Sequence, residues 1–264
     1  MIEKAGSALS VAFGLRLHGV LMTGNARPAR IVLFACVLIL ATGCAVAGTP
    51  SKVSPAKTMQ AAGMVDIRSL VPDMAEDIKY AGHDNFTGAP VPGYRAAKCF
   101  LLKPAAKALA RVEHALRQRH MRLKIWDCYR PARAVAAFVH WAHDLSDTST
   151  KAAHYPRIPK STLLDGYIAP VSNHTRGATV DLTLMRCHAD GRHCRPLDMG
   201  THFDMFDPRA HTDSKLVTAK QRANRQILLH AMAAQGFKNY PNEWWHYTLV
   251  MHPQPATLYD VPVQ

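Results

Sequence analysis

An acidic residue lies inside an apolar stretch that is predicted to form a buried strand. The stretch runs from Ala178 to Met185, and its fourth residue is Asp181. Burying a carboxylate is costly unless it is paired or binds a metal ion. His174 precedes the strand in a predicted turn, and Gly177 lets the chain bend between the two. A histidine with a carboxylate suits Zn²⁺; the alternative is a strand carboxylate that caps a nearby loop.

A second acidic residue and a second histidine occur together near the C-terminus, in Glu243-Trp-Trp-His246-Tyr247. Side chains three positions apart on a strand face opposite sides, but Glu243 lies at the predicted strand's entrance, where the chain can still turn. His246 would complete a set of three protein ligands and leave a fourth position for water, as in catalytic zinc sites. Glu243 would then act as the base. The alternative is an aromatic core strand with an incidental histidine.

Arg130 follows a predicted strand and immediately precedes a predicted helix, in Asp127-Cys-Tyr-Arg-Pro131. An arginine keeps its charge and its fork of donors when it is partly buried. Opposite a metal-bound carbonyl group it would stabilise the oxyanion of a tetrahedral intermediate. Taken alone, the segment favours the alternative, a surface arginine in a turn.

Predicted strands and helices mix along the chain without a regular strand–helix–strand repeat. The sequence therefore predicts an α+β fold with a mainly antiparallel central sheet flanked by helices. The predicted strands span 74–80, 123–128, 178–185 and 244–250, and the predicted helices span 104–119, 131–145 and 214–235.

The N-terminal region has the pattern of an export signal. Arg27 and Arg30 precede an apolar run over residues 31–42, which is too short to span a bilayer comfortably. Residues 45–47 (Ala-Val-Ala) form a cleavage site for an ordinary signal peptidase. The preceding residues also resemble a lipoprotein box, which would place a lipid on Cys44. The alternative is an uncleaved anchor helix.

The chain is accordingly divided into a signal peptide (1–47), a linker (48–63) and one catalytic domain (64–264), exported to the periplasm or cell envelope. Its formal net charge of +13 suggests anionic surroundings. If the lipoprotein box is used, the lipid at Cys44 is the only membrane contact expected. No zinc-finger spacing or aromatic-interleaved basic motif occurs, so nucleic acid is not an expected partner.

An even number of cysteines remains in the exported part, and an oxidising compartment favours disulfides between them. A turn signal at Asp190-Gly191 favours a bridge that closes a short loop around it, which leaves the other two cysteines to pair. The competing interpretation is a second metal site, because two histidines lie inside that loop. The expected bridges are Cys99–Cys128 and Cys187–Cys194, and the two histidines are His188 and His193.

A series of motifs, in the same order, closely resembles the bacterial zinc D-alanyl-D-alanine dipeptidases of the VanX type. This family belongs to a group that includes zinc D,D-carboxypeptidases and shares its fold with the Hedgehog signalling domain. The resemblance covers the chain from about Asp77 onward. The motifs are Asp77-Ile-Lys-Tyr80-Ala, Asn85-Phe-Thr-Gly88, Asp127-Cys-Tyr-Arg-Pro131, Ser172-x-His174-x-x-Gly177, Asp181-Leu-Thr-Leu184, Met199-Gly-Thr-x-Phe-Asp204 and Glu243-Trp-Trp-His-Tyr247.

The resemblance implies one Zn²⁺ per subunit, a base and an arginine that stabilises the transition state. It also implies residues that meet the substrate's carboxylate and ammonium groups, and tyrosines that wall the pocket. The zinc ligands would be His174, Asp181 and His246, the base Glu243, the arginine Arg130, the substrate-binding residues Ser172 and Asp204, and the tyrosines Tyr80 and Tyr94. Ala178 and Thr179 replace the family's usual Ser and Ala, and both are small.

Three functions are consistent with these residues. The first is hydrolysis of free D-alanyl-D-alanine in cell-wall peptide turnover or glycopeptide resistance. The second is a D,D-carboxypeptidase that trims peptidoglycan, which is anionic and would suit a basic exported protein. The third is a non-catalytic, zinc-containing wall-binding module. Glu243 argues against the third, because a binding module needs no base beside its metal.

Overall fold

The computed structural model describes residues 52–264, which contain eight strands and four α-helices. The strands are β1 (Met64–Asp66), β2 (Ala75–Glu76), β3 (Phe100–Leu102), β4 (Met121–Asp127), β5 (Thr179–Arg186), β6 (Arg195–Pro196), β7 (Phe237–Asn239) and β8 (His246–Leu249). The helices are α1 (Lys103–Arg117), α2 (Ala132–His143), α3 (Lys151–His154) and α4 (Ala219–Ala233).

The central sheet has the strand order β2-β4-β5-β8-β7. Strand β6 pairs with β5 outside this path. Strands β2 and β4 are parallel. The β4–β5, β5–β8 and β7–β8 pairs are antiparallel. A separate two-stranded antiparallel sheet joins β1 to β3. The predicted α+β class with a mainly antiparallel sheet is therefore confirmed.

The register of three adjacent strands brings polar residues to one place in the sheet. Asp127, the last residue of β4, pairs with Asp181 in β5, and Asp181 pairs with His246, the first residue of β8. The β4–β5 register shifts just before Asp127, after Ile125. Such irregularities re-aim side chains and are common beside active sites. The sheet thus aligns three polar side chains on neighbouring strands.

Apolar periodicity explains how α1 packs on this sheet. Leu109, Val112 and Leu116 recur at intervals of three and four residues, and all three are buried. The helix contacts β3, β4 and α4. Strand β4 alternates buried and half-buried residues, whereas β5 is buried at every position before Arg186. This is the pattern of a central strand covered on both faces.

Several predicted elements are shorter in the structure, including the following three. The predicted strand 74–80 is a strand only at Ala75–Glu76, followed by a 3-10 turn at Lys79–Ala81. The predicted helix 214–235 begins at Ala219, because Thr218 and Gln221 form a capping box that fixes its start. The last strand begins at His246 rather than Trp244, since the His246 amide donates to the Glu243 carbonyl and closes a turn.

The described part of the predicted linker, residues 52–63, contacts the domain. Val53 forms an isolated parallel bridge with Leu258, and Ala62 is buried in the core. The predicted signal peptide, Cys44 and residues 48–51 lie outside the described residues. Within 52–264, no helix combines the length and apolar character needed to cross a bilayer.

Candidate active site

His174, Asp181 and His246 each direct one ligand atom to a common point. His174 Nε2 lies 3.1 Å from Asp181 Oδ2. His246 Nδ1 lies 3.1 Å from Asp181 Oδ1 and 3.2 Å from His174 Nε2. The residues proposed from the sequence as metal ligands therefore form one cluster, although more than seventy positions separate the two histidines in the chain.

His174 is oriented by its own turn and by the residue that follows β4. It lies in a 3-10 turn, Asn173–Arg176, capped by the Ser172 side chain, which accepts from the His174 amide. Its Nδ1 is 2.6 Å from the Cys128 carbonyl oxygen. A hydrogen bond donated from Nδ1 leaves Nε2 unprotonated and free to bind a metal. Gly177 ends the turn at φ +76°, and a Cβ atom there would approach Met64 Cε to 2.7 Å.

Asp181 provides the structural test for a metal ion. It is 2% exposed, and its Oδ1, although 3.1 Å from His246 Nδ1, is not in hydrogen-bond geometry with any described residue. Burial opposes its ionisation, but His174 and His246 lower the pKa of this carboxyl below its usual value. An ionised, buried carboxylate with a free lone pair between two imidazole nitrogens fits a bound cation. Two histidines and one carboxylate are a donor set of catalytic zinc sites.

Glu243 reaches the same cluster from the turn that precedes β8. Its amide donates to the Tyr240 carbonyl, and its carbonyl accepts from the His246 amide. This turn brings Glu243 Oε2 to 3.4 Å from His246 Nδ1, on the same side rather than on opposite faces. Burial raises the pKa of Glu243 to about 7. The Glu243 carboxylate is thus adjacent to the three candidate metal ligands without being one of them.

Arg130 lies between two carboxylates with only 12% of its side chain exposed, rather than on the surface in a turn. Its guanidinium lies 2.9 Å from Asp127 Oδ2 and 3.3 Å from Asp181 Oδ2. It also lies over the Tyr80 ring, 4.9 Å from the centroid. Asp127 is fully buried, accepts a 2.6 Å hydrogen bond from the Tyr94 hydroxyl and lies 3.4 Å from His174 Nδ1. Arg130 is therefore fixed within reach of the cluster.

Asp204 provides a second buried carboxyl group beside the cluster. It is 6% exposed, and its Oδ2 accepts a 2.9 Å hydrogen bond from the Tyr80 hydroxyl. Burial, and then the negative charges of Asp181 and Glu243, raise the pKa of Asp204 well above its ordinary value. Its backbone has φ +56°, a left-handed conformation that non-glycine residues seldom adopt. A cationic group brought beside Asp204 would relieve this unfavourable electrostatic environment.

These groups line one cavity of about 330 Å³. Polar residues are at the cluster end, and aromatic and aliphatic residues form much of the remaining wall. Its lining includes Tyr80, Phe86, Arg130, Val135, Phe138, Ser172, Asp181, Asp204, Phe206, Glu243 and His246. Tyr94 is not among the lining residues. Its ring packs against that of Tyr80, with centroids 5.7 Å apart, and its hydroxyl donates a hydrogen bond to Asp127. Tyr94 therefore supports Asp127 and does not form part of the cavity wall.

The sequence analysis did not assign a role to Asp127 or Arg225. Asp127 could have been suspected as a carboxylate at the end of an apolar strand, next to Arg130. Arg225 is fully buried within α4 and donates to the carbonyl oxygens of Met199, Arg209 and His211. It thereby fixes the segment that carries Asp204. Nothing in the local sequence distinguishes Arg225 from an exposed helix arginine.

Disulfides join Cys99 to Cys128 and Cys187 to Cys194. The first one adjoins the site, because the Cys128 carbonyl is the acceptor for His174. The second one closes the loop that contains His188 and His193, whose rings lie 5.4 Å apart. With both cysteines of that loop in a disulfide, they are not available as thiolate ligands for a second metal ion.

Comparison with known proteins identifies the family. Residues 60–264 match the peptidase family M15, described as D-ala-D-ala dipeptidase. The chain is 42% identical over 198 residues to the D-alanyl-D-alanine dipeptidase of Streptomyces coelicolor, which covers 75% of this chain and 96% of that protein. The chain therefore belongs to the M15 family of D-Ala-D-Ala dipeptidases and is a peptidase-type hydrolase.

More distant relatives carry the same description. The D-alanyl-D-alanine dipeptidase of Enterococcus faecalis is 37% identical over 202 residues, covering 76% of this chain and 98% of that protein. The D-alanyl-D-alanine dipeptidase of Escherichia coli is 34% identical over 197 residues, covering 74% and 86% respectively. The matched lengths agree with the extent of the described domain.

Proposed function

We propose that this protein hydrolyses free D-alanyl-D-alanine to two molecules of D-alanine, with one Zn²⁺ held by His174, Asp181 and His246. Family membership supports the reaction class. The observation that carries the dipeptide specificity is Asp204, a buried carboxyl group that lines the cavity a short distance from the ligand cluster. A free substrate ammonium group would supply the cation that Asp204 lacks.

Zn²⁺ bound to the three ligands would activate water for attack and polarise the scissile carbonyl. Glu243 takes the proton from the attacking water and delivers it to the leaving amine, a role that its position beside His246 allows. Arg130 donates to the oxygen that becomes negatively charged in the transition state. Asp127 and Tyr80 keep the guanidinium in place. Ser172 lines the same cavity and binds the substrate carboxylate.

The test compares free D-Ala-D-Ala with N-acetyl-D-Ala-D-Ala on zinc-loaded protein. A site built for a charged group can reject an analogue that lacks it by roughly 10⁴-fold, because its own polar groups are left unsatisfied. We expect a kcat/KM ratio of this order in favour of the free dipeptide. Similar rates on both substrates would replace the dipeptidase proposal with a D,D-carboxypeptidase that acts on peptidoglycan stem peptides.

We further propose that the protein acts in the periplasm or cell envelope after export. The two disulfides support an oxidising compartment. Cell fractionation with thiol labelling tests this: the chain should be in the envelope fraction with Cys99 and Cys128 unreactive. Mass spectrometry of the mature N-terminus would distinguish cleavage after Ala47 from lipidation of Cys44. Recovery of a full-length, reduced chain from the cytoplasm contradicts the proposal.

A further inference from the structure

One side of the active-site cavity is formed by residues 164–173, a segment of turns and bends that ends at the first residue of the 3-10 turn Asn173–Arg176. We call this segment the 164–173 wall. All of its residues except Asp165 line the cavity. Its backbone hydrogen bonds are local: the amides of Tyr167 and Ile168 both donate to the Leu163 carbonyl. Within the described chain, no backbone hydrogen bond joins residues 169–171 to any other element. The wall therefore depends on side-chain contacts to hold its position over the cavity.

Tyr240, which also lines the cavity, supplies such a contact. Its hydroxyl donates a 3.0 Å hydrogen bond to the Gly166 carbonyl, and the Asn242 side-chain amide donates to the same hydroxyl at 3.2 Å. Gly166 has φ +120°, a conformation that residues with a side chain rarely adopt. The glycine thus lets the wall turn its carbonyl toward Tyr240.

The same tyrosine belongs to the turn that carries the proposed base. The Tyr240 amide donates to the His246 carbonyl, and the Tyr240 carbonyl accepts from the Glu243 amide, both at 3.0 Å. Its ring packs edge-on against the His246 ring, with centroids 5.7 Å apart. The position of the wall is therefore tied, through one residue, to the turn that positions Glu243.

We propose that Tyr240 is a positioning residue that holds the 164–173 wall across the cavity and so limits the length of the substrate. The proposal rests on the dipeptidase function proposed above. A dipeptide fits inside the cavity with its ammonium group near Asp204. A peptide with one more residue at its amino end has to extend out of the cavity between the walls. While Tyr240 holds the wall, this exit stays narrow.

The test is Tyr240→Phe, which keeps the ring and removes the donor. The matched control is Tyr259→Phe, because the Tyr259 ring packs on Tyr129 and its hydroxyl makes no hydrogen bond within the described chain. Activity is measured on D-Ala-D-Ala and on D-Ala-D-Ala-D-Ala, which retains a free ammonium group. Loss of one hydrogen bond corresponds to roughly fivefold to tenfold in binding.

We expect Tyr240→Phe to raise KM for the dipeptide about fivefold to tenfold with little change in kcat, and to raise the tripeptide-to-dipeptide ratio of kcat/KM by a similar factor. The control should match the wild type. A Tyr240→Phe enzyme with wild-type KM and wild-type selectivity overturns the proposal.

Hydrogen–deuterium exchange of residues 163–173 gives a readout that does not depend on turnover. Exchange in Tyr240→Phe should be faster than in the wild type and in Tyr259→Phe, since the wall has lost its contact across the cavity. Unchanged exchange overturns the role of Tyr240 even in an active dipeptidase. Faster exchange in a protein that does not cleave D-Ala-D-Ala supports the positioning role and refutes the proposed function.

Discussion

Glu76 should make the stability of this protein depend on pH in a direction opposite to that of most carboxylates. Its side chain is 2% exposed, in the short edge strand β2. Neither carboxyl oxygen has a hydrogen-bond partner among the described residues, and the Arg68 guanidinium is 3.4 Å away. Burial raises the pKa of Glu76 from 4.5 to about 7, despite the opposing charge of Arg68.

The sign follows from proton counting. Between pH 4.5 and about pH 7 the folded chain holds a proton on Glu76 that the unfolded chain has released. The free energy of unfolding therefore falls as pH rises through this window and levels off above it. Because one pKa unit corresponds to about 1.36 kcal/mol, the full loss is about 3 kcal/mol.

Glu76→Gln replaces the carboxyl group with a neutral group of the same shape. At pH 4.5 the variant and the wild type should have nearly equal stability, and at pH 8.5 the variant should be more stable by about 3 kcal/mol. Urea unfolding at a series of pH values, at one zinc concentration, measures both. Subtracting one curve from the other removes the contributions of all groups that titrate alike in both proteins.

Asp213→Asn is a matched control, because Asp213 is exposed and its side chain accepts its one hydrogen bond within residues 52–264 from the Gln226 side chain. Its stability difference from the wild type should vary little with pH. A Glu76→Gln difference that is constant from pH 4.5 to pH 8.5 would refute the reasoning, since Glu76 would then be ionised in the folded protein at all of these pH values.

Three further predictions concern the site and its support. Glu243→Ala should retain zinc and lose turnover by about 10²–10⁴-fold; loss of zinc, measured by elemental analysis, would make Glu243 a ligand instead. Asp204→Ala should slow hydrolysis of D-Ala-D-Ala more than that of N-acetyl-D-Ala-D-Ala, and equal slowing of both would contradict its role toward the ammonium group. Replacing Cys99 and Cys128 together by Ser should lower stability by roughly 3.5 kcal/mol, because the bridge closes a separation of 29 residues; an unchanged denaturation midpoint would contradict this.

The residue types and their order were sufficient to predict the fold class and the ligand cluster. A buried carboxylate in an apolar strand requires a partner, and this requirement led from Asp181 to His174 and His246. The structure brings the three together through strand register. The strands themselves follow from local apolar patterns, which predicted β4 and β5 to within a few residues.

Features that depend on long-range packing could not be predicted in this way. Glu243 and His246 would face opposite sides of a continuous strand, and the sequence indicated only that the chain could turn at Glu243. The turn that closes between them brings both to the cluster. Tyr94 was expected in the cavity wall from the resemblance to the dipeptidase family. Its hydroxyl instead reaches Asp127, which is 33 positions away in the sequence. Such contacts are set by the packing of separate elements rather than by any local pattern.

The most direct test of the central proposal is the dependence of turnover on zinc at the His174, Asp181 and His246 cluster. Protein stripped by a chelator should be inactive on D-Ala-D-Ala, and titration with Zn²⁺ should restore activity linearly up to one equivalent per chain. Asp181→Ala should neither retain zinc nor recover. Full turnover by wild-type protein that elemental analysis shows to be free of metal would contradict the account.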